Sequence, residues 1–430
     1  MSEWRNGKIG ELAAGIRGVS YTPEQLKEFK NSDTITLLRS NNIQSGWLQF
    51  KNIQIVPRSV VSEAQILRFG DIAVCMSNGS KALVGKAGPF VNVTNEQFTV
   101  GAFCSIFRPA YGVDCQFIKY IFQSSVYRAQ LDISLAGSAI NNLRNSEIEL
   151  FSIKIPPPEH QKKIAEVLDV LDATIRQTEA IIEKLKLVKQ GLLHDLLTRG
   201  IDANGELRPP QSQAPHLYKD SPLGWVPNEW MVELLDNVAE RGSGHTPSKS
   251  APSYWNGGIK WVSLADSHRL DHIYITETDK EISELGLANS SAVRHQAGTV
   301  ILSRDAGVGK SAILAIEMAV SQHFIAWRCG EKLNNLYLYF MLQRMKPIFE
   351  SIAIGSTIKT IGLAFFKKLA IVVPSRAEQD RIVDLILANE AALQTHSVEL
   401  GKLRLQKDGL MDDLLTGRVR VTPLLKSQGA

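Results

Sequence analysis

The stretch "KQGLLHDLLTRG", Lys189–Gly200, is matched near the end of the sequence by "KDGLMDDLLTGR", Lys407–Arg418. Both combine apolar residues three or four positions apart with the run Asp-Leu-Leu-Thr and a following glycine. That pattern is typical of an amphipathic helix and its C-terminal stop. The same helix ending therefore occurs twice, which predicts an architecture built from two copies of one unit.

The match extends well beyond the helix endings. Gln161 and Gln379 are separated by 379 − 161 = 218 positions, and this offset continues without a gap to the end of each copy. Farther upstream the copies survive as short islands: "GIRGVSYTP" resembles "ERGSGHTP", "FGDIAVCMSNGS" resembles "AGTVILSRDAGVG", and Trp47 in "SGWLQF" is matched with Trp261 in "IKWVSL". Each copy thus has a globular part whose sequence differs between the copies, followed by a helical part whose sequence is similar in both.

Each helical part carries an apolar seam with alternating spacings of four and three, which is a heptad pattern. The predicted helix-pairing residues are Ile164, Leu168, Leu171, Ile175, Ile182, Leu185, Leu192 and Leu196 in the first copy, and Ile382, Ile386, Leu393, Leu400, Leu403, Leu410 and Leu414 in the second. Each helix has about 40 residues and is therefore about 60 Å long, at a rise of 1.5 Å per residue.

Two seams of equal length in one chain most simply pack on each other, and the connection between them favours an antiparallel arrangement. Five seam positions are polar: Thr178, Lys189, Asn389, His396 and Lys407, and the last four raise a choice between two interpretations. One interpretation is that they fix the register of the two helices at a cost in stability. The other is that they lie at the margin of the seam and extend into water.

The variable parts mix short alternating β runs, such as "DIAVCM" and "GTVILS", with Gly-rich turns and short helical stretches. The sequence therefore predicts an α+β fold, with two pseudo-repeated α+β domains separated by two long antiparallel helices that form an intramolecular coiled coil. The predicted boundaries are a first variable domain at 1–155, a central helix at 156–200, a linker at 201–222, a second variable domain at 223–373, a C-terminal helix at 374–418 and a tail at 419–430.

The composition is that of a globular protein with more than one core, since 44% of the 430 residues are hydrophobic and 21% are charged. The opening "MSEWRNGKIGEL" lacks the apolar core of a signal peptide, and no run reaches the roughly 18 apolar residues that span a bilayer. We therefore expect a cytoplasmic protein without membrane association. The net charge of +4 permits a polyanionic partner but does not require one.

The motifs that suggest chemistry are weak. "AGVGKS", Ala306–Ser311, resembles the end of a phosphate-binding loop, but that motif requires glycine at position 304, where this chain has Arg304. We interpret the stretch as a turn between strands with Arg304 and Lys310 at its tip. "ADSHRLDH" has no companion motif for a metal site, and the four cysteines have neither metal nor disulfide spacing. We expect no catalysis, no metal and no cofactor in this chain.

The order and duplication of these motifs resemble the specificity subunit of type I restriction-modification enzymes. The features that carry the resemblance are "PPPEHQ" before the first helix, its remnant "VPSRAEQ" before the second, the duplicated Leu-Leu-x-Asp-Leu-Leu-Thr pattern near each helix end, and "LGWVPNEW" at the start of the second unit. The resemblance covers essentially the whole chain.

The resemblance implies a non-catalytic, sequence-specific reader of double-stranded DNA. Each variable domain would be a target-recognition domain for one half of a bipartite site, and the helices would set the spacer between the halves. Two methyltransferase (modification) subunits would bind the chain, and restriction/translocase subunits would join them. S-adenosylmethionine, ATP and Mg would be needed only in those partner subunits.

Base edges are read by hydrogen-bonding side chains on exposed loops, and phosphates are bound by Lys, Arg and backbone N–H groups. We therefore select the repeated loops and the turns before the helices. The predicted DNA-contacting residues are Arg17, Ser20, Tyr21, Thr22, Ser77, Asn78, Ser80, Lys81, Ser138, Asn141 and Asn142 in the first copy, and Arg241, Ser243, His245, Thr246, Ser303, Arg304, Lys310, Ser356, Thr357 and Lys359 in the second.

Other functions remain open at the level of sequence. A coiled-coil scaffold whose end domains bind proteins also requires the two helices, but it does not predict salt-dependent duplex binding with a specific component. An enzyme that binds nucleotide at "AGVGKS" predicts that Lys310→Ala abolishes ATP binding. Related enzymes, in which a similar subunit serves a fused methyltransferase-nuclease, are not separated from the type I systems by these motifs.

Overall fold

The computed structural model describes residues 4–91, 96–136, 141–355 and 359–426. The chain divides into two compact units. Unit 1 consists of Met1–Ala180 and Val398–Ala430, and unit 2 consists of Ile181–Ser397. Each unit contains a globular part with mixed helices and strands, together with parts of two long helices.

Unit 1 is built on short strands. They are β1 (Arg5–Lys8), β2 (Ala13–Arg17), β3 (Thr34–Leu38), β4 (Ile43–Gln44), β5 (Trp47–Leu48), β6 (Gln54–Pro57), β7 (Ile72–Cys75), β8 (Ala87–Pro89), β9 (Phe98–Val100), β10 (Cys104–Pro109) and β11 (Ser152–Ile155). Its short helices are α1 (Cys115–Ile121), α2 (Ser125–Ala136) and α3 (Asn145–Glu149). Two of its sheets have the orders β2-β10-β7-β8 and β6-β3-β9, and β3 runs parallel to β9 in the second.

Two long helices each contribute residues to both units. They are α4 (Pro158–Leu196) and α9 (Arg376–Thr416). The globular part of unit 2 contains β12 (Tyr218–Lys219), β13 (Val226–Pro227), β14 (Met231–Leu234), β15 (Ala239–Ser243), β16 (Trp255–Val262), β17 (Tyr274–Ile275), β18 (Lys280–Ile282), β19 (Arg294–His295), β20 (Val300–Ser303), β21 (Ser311–Leu314), β22 (Met318–Val320), β23 (Phe324–Cys329) and β24 (Ala370–Val373). The remaining helices are α5 (Leu235–Val238), α6 (Glu284–Ala288), α7 (Asn335–Ile352) and α8 (Leu363–Phe366) in unit 2, and α10 (Thr422–Lys426) in unit 1.

The sheets of the two units correspond to each other. The order β15-β23-β20-β21-β17 in unit 2 matches β2-β10-β7-β8 in unit 1, and β18-β16-β22-β19 matches β6-β3-β9, with β16 parallel to β22. The pair β14-β24 matches β1-β11. The internal repeat inferred from sequence is therefore confirmed in the fold, although the match of Trp47 with Trp261 is wrong. Trp47 lies in the hairpin strand β5, whereas Trp261 lies in β16, whose counterpart is β3.

The seam residues of α4 and α9 are all buried or half-buried. In unit 1, Ile164 and Leu168 of α4 share one core with Met411 and Leu414 of α9 and with the globular part. The start of α4 therefore lies beside the end of α9 within this unit. In unit 2 the corresponding core contains the last turns of α4 and the first turns of α9, because Leu196 clusters there with the apolar residues of α9.

Both seam lysines contact a carboxylate of the opposite helix. In unit 1 the Nζ of Lys407 lies 2.6 Å from Asp172 Oδ1, and in unit 2 Lys189 forms an ion pair with Glu390. The 218-residue repeat relates both the lysines and the acids. The interpretation in which these lysines only extend into water is therefore wrong. Asn389 is also buried, and its Oδ1 has no hydrogen-bond partner within the described part of the chain.

The segment at 201–222, which we predicted as a linker, is attached to unit 2 by buried contacts. Arg208 is buried and pairs with Glu378 at 2.5 Å, and the same carboxylate accepts hydrogen bonds from Ile201 N and Trp230 Nε1. Little periodicity marks this segment in the sequence, because its order depends on single charged and aromatic contacts rather than on an apolar stripe. Over the described ranges, every helix falls short of the length or the apolarity that a membrane span requires.

Candidate nucleic-acid interface

In unit 1, turns that are far apart in sequence meet at one end of the two main sheets. We call this set loop face 1. Its turns are residues 18–23 after β2, 39–42 after β3, 76–83 after β7, 101–103 between β9 and β10, and 141–144 before α3. The parallel pair β3 and β9 brings two of these turns together, because parallel strands end at the same edge of a sheet.

Backbone hydrogen bonds hold the turns of loop face 1 together. The carbonyl of Phe103 accepts from the N–H groups of Met76 at 2.8 Å and Ser77 at 3.2 Å. The N–H of Leu143 donates to the Met76 carbonyl at 2.8 Å, and Gly101 N donates to the carbonyl of β3 residue Leu38 at 2.9 Å. The turns therefore form a connected backbone frame, in which the carbonyl of Phe103 accepts two of the hydrogen bonds.

Loop face 2 is the corresponding set of turns in unit 2. Its turns are residues 244–250 after β15, 263–269 after β16, 304–310 between β20 and β21, 321–323 between β22 and β23, and 359–362 before α8. Here the N–H of Arg304 donates to the carbonyl of His323 at 2.9 Å, and Ile361 N donates to the Arg304 carbonyl at 3.0 Å. Loop face 1 has the same two bonds, since Met76 N donates to the Phe103 carbonyl and Leu143 N donates to the Met76 carbonyl. Phe103 and His323 therefore occupy equivalent positions.

Each loop face contains a cavity that opens to solvent. The cavity of loop face 1 has a volume of about 680 Å³ and is lined by Ser20, Tyr21, Pro23, Arg39, Ser40, Asn41, Gly101, Ala102, Phe103 and Cys104. The cavity of loop face 2 has a volume of about 700 Å³ and is lined by Thr246, Lys249, Trp255, Asn256, Trp261, Ser263, Leu264, Ala265, Lys280, Ser321, Gln322 and His323. The backbones correspond, but the linings differ in charge and in the hydrogen-bonding groups they present.

The linings contain the residue types that bind nucleic acid. In loop face 1, Arg39 has no carboxylate partner among the described residues, and its Nε is buried without a hydrogen bond there. In loop face 2, the side chains of Lys249 and Lys280 are exposed, and Trp255 packs against Trp261 at 5.2 Å between ring centroids. Cationic side chains bind phosphates, and aromatic and amide side chains contact bases.

Buried side chains beneath each face support the turn after the parallel strand. Asn42 is buried and accepts from Arg39 N at 2.9 Å, and the buried carboxylate of Asp266 accepts from Ser263 N at 2.9 Å at the equivalent place.

Burial raises the pKa of Cys104 to about 12, so this thiol stays neutral and does not act as a nucleophile.

Most of the residues predicted from the first copy lie on loop face 1. Ser20, Thr22, Ser80 and Lys81 are exposed, and Asn142 is exposed in the turn before α3. Three others hold the turns together while they remain partly accessible. They are Tyr21, which donates to Gln54 Oε1 at 2.5 Å, Asn78, which donates to Ser40 Oγ at 3.4 Å, and Asn141, which donates to the carbonyl of Gly79 at 3.2 Å. Ser77 forms a backbone bridge with Asn142, and the exposed Arg17 ends β2.

In the second copy, the predicted residues divide into exposed and supporting groups. His245, Ser243 and Lys359 are exposed. Ser303 is buried and donates from its hydroxyl to the carbonyl of Asp305 at 2.7 Å, so it supports the turn. Four more are half-buried and engaged by neighbours. They are Arg241 with Asp236, Thr246 with Gln322, Arg304 with the carbonyl of Ile361, and Lys310 with the carbonyl of Ser267.

Three predicted residues, Ser138, Ser356 and Thr357, lie outside the described residues. Conversely, sequence reasoning missed several side chains that line the cavities: Arg39, Phe103, Lys249, Lys280 and His323. Their turns show little similarity between the copies, so the repeat did not mark them. A usable signal was the end of each buried β run, such as "TITLL" before Arg39, since loops that follow strands of one sheet edge converge.

The weaker motifs have structural roles. "AGVGKS" lies in the antiparallel hairpin between β20 and β21, as predicted for a turn between strands, and the Nζ of Lys310 donates to the Ser267 carbonyl at 3.0 Å. A phosphate-binding loop instead leads from a strand into a helix. In the parts of the chain that the structure describes, no group of three or more His, Cys, Asp or Glu residues is arranged to hold a metal ion.

Comparison with known proteins gives consistent matches. A family model described as "Type I restriction modification DNA specificity domain" matches residues 1–187 and 227–397. The chain is 35% identical over 208 residues to the type I restriction enzyme EcoKI specificity subunit of Escherichia coli (strain K12), which covers 47% of this chain and 43% of that protein. It therefore spans less than half the length of that relative.

Two further matches cover nearly the whole chain. The type I restriction enzyme MjaVIII specificity subunit of Methanocaldococcus jannaschii is 23% identical over 437 residues, which covers 98% of this chain and 94% of that protein. A solved chain from a study described as "Structural basis underlying complex assembly and conformational transition of the type I R-M system" is 16% identical, with a TM-score of 0.61 and coverage of 97% and 98%. The latter likeness shows a shared fold of mixed α/β content.

Proposed function

The chain belongs to the family of type I restriction modification DNA specificity domains, and we propose that it is the specificity subunit of a type I restriction-modification complex. In this function, loop face 1 reads one half of a bipartite DNA target and loop face 2 reads the other half. The observation that carries the proposal is the pair of loop faces itself. They share a backbone frame but present unlike side chains, as two different half-sites require.

The charges of the loop faces support a polyanionic ligand. Arg39 lines the cavity of loop face 1, and Lys249 and Lys280 line that of loop face 2. Lys81 and Lys359 are exposed cations in other turns of the two faces. Contacts of such residues with phosphates position a protein on a duplex, and polar side chains on the same surface then read the base edges. We therefore expect binding that weakens steeply with salt and retains a sequence-specific component.

The two long helices act as the spacer of the target in this proposal. They form an antiparallel intramolecular coiled coil, and the ion pairs Lys407–Asp172 and Lys189–Glu390 support that packing. Helices of 39 and 41 residues are each about 60 Å long at 1.5 Å per residue. At 3.4 Å per base pair this length corresponds to fewer than about 18 base pairs, which suits two half-sites separated by unread bases.

We also assign partners to this function. Two methyltransferase subunits bind the chain, and exposed apolar residues on the long helices, such as Val170, Leu187 and Leu405, support a protein-binding role for them. Restriction/translocase subunits complete the complex. Methylation with S-adenosylmethionine and cleavage with ATP and Mg belong to these partners, and this chain is a non-catalytic, cytoplasmic reader.

The test is to co-express the chain with the methyltransferase encoded beside it, purify the complex, and select bound duplexes from a random DNA pool. We expect two unlike short motifs at a fixed spacing and two methyltransferase copies per chain. A complex that binds DNA without sequence preference would instead favour the scaffold function, and two identical half-sites would refute the assignment of different readers to the two loop faces.

A further inference from the structure

We propose that Phe103 and His323, which occupy equivalent positions on the two loop faces, each read one base of their half-site. Phe103 does so by apolar contact with the 5-methyl group of a thymine, and His323 does so by a hydrogen bond to a base edge. This inference rests on the proposed DNA-reading function and names the residue and the chemistry that make the two half-sites unlike.

The ring of Phe103 is presented on a fixed backbone. Its carbonyl accepts two hydrogen bonds, from Met76 N and Ser77 N, and the next residue, Cys104, is buried in strand β10 opposite Cys75. Phe103 as a residue is 69% exposed. A rigid turn that holds a large apolar ring in solvent has its contact surface pre-organised, which lowers the entropy cost of binding.

The surroundings of Phe103 differ in chemistry from the ring. It shares its cavity with Tyr21, Arg39, Ser40 and Asn41, all of which carry hydrogen-bonding groups. Arg39 is half-buried and donates from Nη2 to the carbonyl of Asn52 at 3.3 Å, but it has no carboxylate partner among the described residues, so its charge is left for an anionic ligand. The cavity thus combines donors for phosphate or base edges with one large apolar contact.

Among the base edges in the major groove of DNA, only thymine presents an apolar group, its 5-methyl. The other features exposed there are hydrogen-bond donors and acceptors, which a phenyl ring does not satisfy. An apolar ring among hydrogen-bonding side chains therefore discriminates best for thymine. Replacement of the methyl by hydrogen in deoxyuridine leaves base pairing unchanged and removes the contact.

At the equivalent position of loop face 2, the ring is polar and already oriented. His323 Nδ1 lies 2.8 Å from Asp305 Oδ2, and the carboxylate makes this nitrogen the donor. Nε2 is then the nitrogen that faces other partners, with Gln322 Nε2 at 3.4 Å. A histidine held by a carboxylate offers a directed hydrogen bond in place of the apolar contact of Phe103.

The experiment compares Phe103→Ala, Phe103→Leu and the wild-type chain in complex with methyltransferase subunits, by selection from a random duplex pool. For Phe103→Ala we expect the preference for one thymine in one half-site to fall about tenfold, within the range for a single mismatched base pair. Phe103→Leu should retain most of the preference because it keeps an apolar side chain. The motif of the other half-site should be unchanged, which shows in the same sample that the chain is folded.

A second arm replaces the identified thymine with deoxyuridine. Wild type should lose about tenfold in affinity, and Phe103→Ala should lose nothing further, because both changes remove one contact. Tyr111→Ala is the matched control, since Tyr111 is a fully exposed aromatic residue just beyond the opposite end of β10. His323→Ala should alter only the other half-site.

Four results would overturn the inference. They are a wild-type motif without thymine in either half-site, an unchanged motif for Phe103→Ala, an equal loss of affinity for all sequences, and a wild-type affinity that is insensitive to deoxyuridine. If the proposed DNA-reading function itself is wrong, the result is different, because the wild-type complex would then select no motif at all.

Discussion

Both units carry a lysine–carboxylate pair at the same place of the repeat, and the surroundings of the pair in unit 1 are closed to solvent. Asp172 is 3% exposed and is reached by Lys407 at 2.6 Å and by the equally buried Lys119 at 3.7 Å. Tyr120 donates from its hydroxyl to the same carboxylate at 2.8 Å. Burial, together with the neighbouring carboxylates, raises the pKa of Tyr120 well above its ordinary range.

The pair in unit 2 has the same chemistry but an open setting. The side chains of Lys189 and Glu390 are 36% and 27% exposed, so water screens their attraction. The repeat therefore preserves which charges pair, whereas the burial of each pair determines how much it contributes to stability. Removal of one member of a buried pair leaves an uncompensated charge, whereas a partly exposed pair contributes little.

The largest expected effect is therefore that of Asp172→Asn. This change leaves Lys119 and Lys407 without their shared carboxylate, and we expect a loss of about 3–5 kcal/mol in the free energy of unfolding of unit 1. Urea titration with hydrogen-exchange mass spectrometry of peptides from each unit measures it. Protection in unit 1 that equals wild type would show that Asp169, which also contacts Lys119, is sufficient.

A second difference between the units concerns the starts of the long helices. In unit 2, Glu378 and Arg208 form a buried pair, whereas in unit 1 His160 occupies the position 218 residues earlier and accepts from Trp4 Nε1 at 3.3 Å. We expect Glu378→Gln to lower the free energy of unfolding of unit 2 by about 3 kcal/mol, because Arg208 keeps only Glu229 as a charged partner.

The same hydrogen-exchange measurement reports this change, and His160→Gln serves as its matched control. The His160 site holds no buried charge pair among the described residues, so this variant should change unit 1 by less than Glu378→Gln changes unit 2. Equal effects would mean that the packing of Trp4 and Trp230, rather than charge, sets the contribution of both sites to the free energy of unfolding.

A smaller effect is expected for Glu390→Gln. Since the Lys189–Glu390 pair is partly exposed, its loss should lower the free energy of unfolding of unit 2 by about 1 kcal/mol or less. The effect should also shrink at 1 M salt, where the Debye length falls to about 3 Å and the attraction between partly exposed charges is weakened. A loss as large as that of Asp172→Asn would refute the conclusion that burial separates the two pairs.

The smallest expected effect is a pH dependence confined to unit 2. Burial lowers the pKa of His295, which donates to the carbonyl of Ser243, below the ordinary value of about 6.5. The unfolded chain therefore takes up a proton before the folded chain does. The stabilisation is present above about pH 6.5 and is lost as the pH falls from there towards the folded pKa.

His295→Gln tests this pH dependence, because its amide retains a donor but does not titrate. Between pH 7.5 and 5.5, hydrogen exchange in unit 2 should rise more in wild type than in the variant. Parallel pH profiles would show that other groups dominate the acid response of this unit.

Much of the architecture follows from local sequence patterns. The heptad spacing predicted α4 and α9 because burial of an apolar stripe is a periodic requirement, and the internal repeat predicted two globular parts of the same α+β kind. The candidate site was predicted only in part. Ser20, Thr22 and Lys81 lie on loop face 1 as expected from repeated turns, whereas Ser303 is buried under loop face 2.

The sequence by itself determined the duplication and the two helices with their apolar seams, because these depend on spacing along the chain. Only the tertiary structure decided which turns converge, since Arg39 meets Phe103 through the parallel pairing of β3 and β9 rather than through any local pattern. It also decided burial. Asp172 and Glu390 occupy equivalent positions of the repeat, but Asp172 is buried against Lys119 and Tyr120 whereas Glu390 is partly exposed, and the free energy of a charge depends on the dielectric around it.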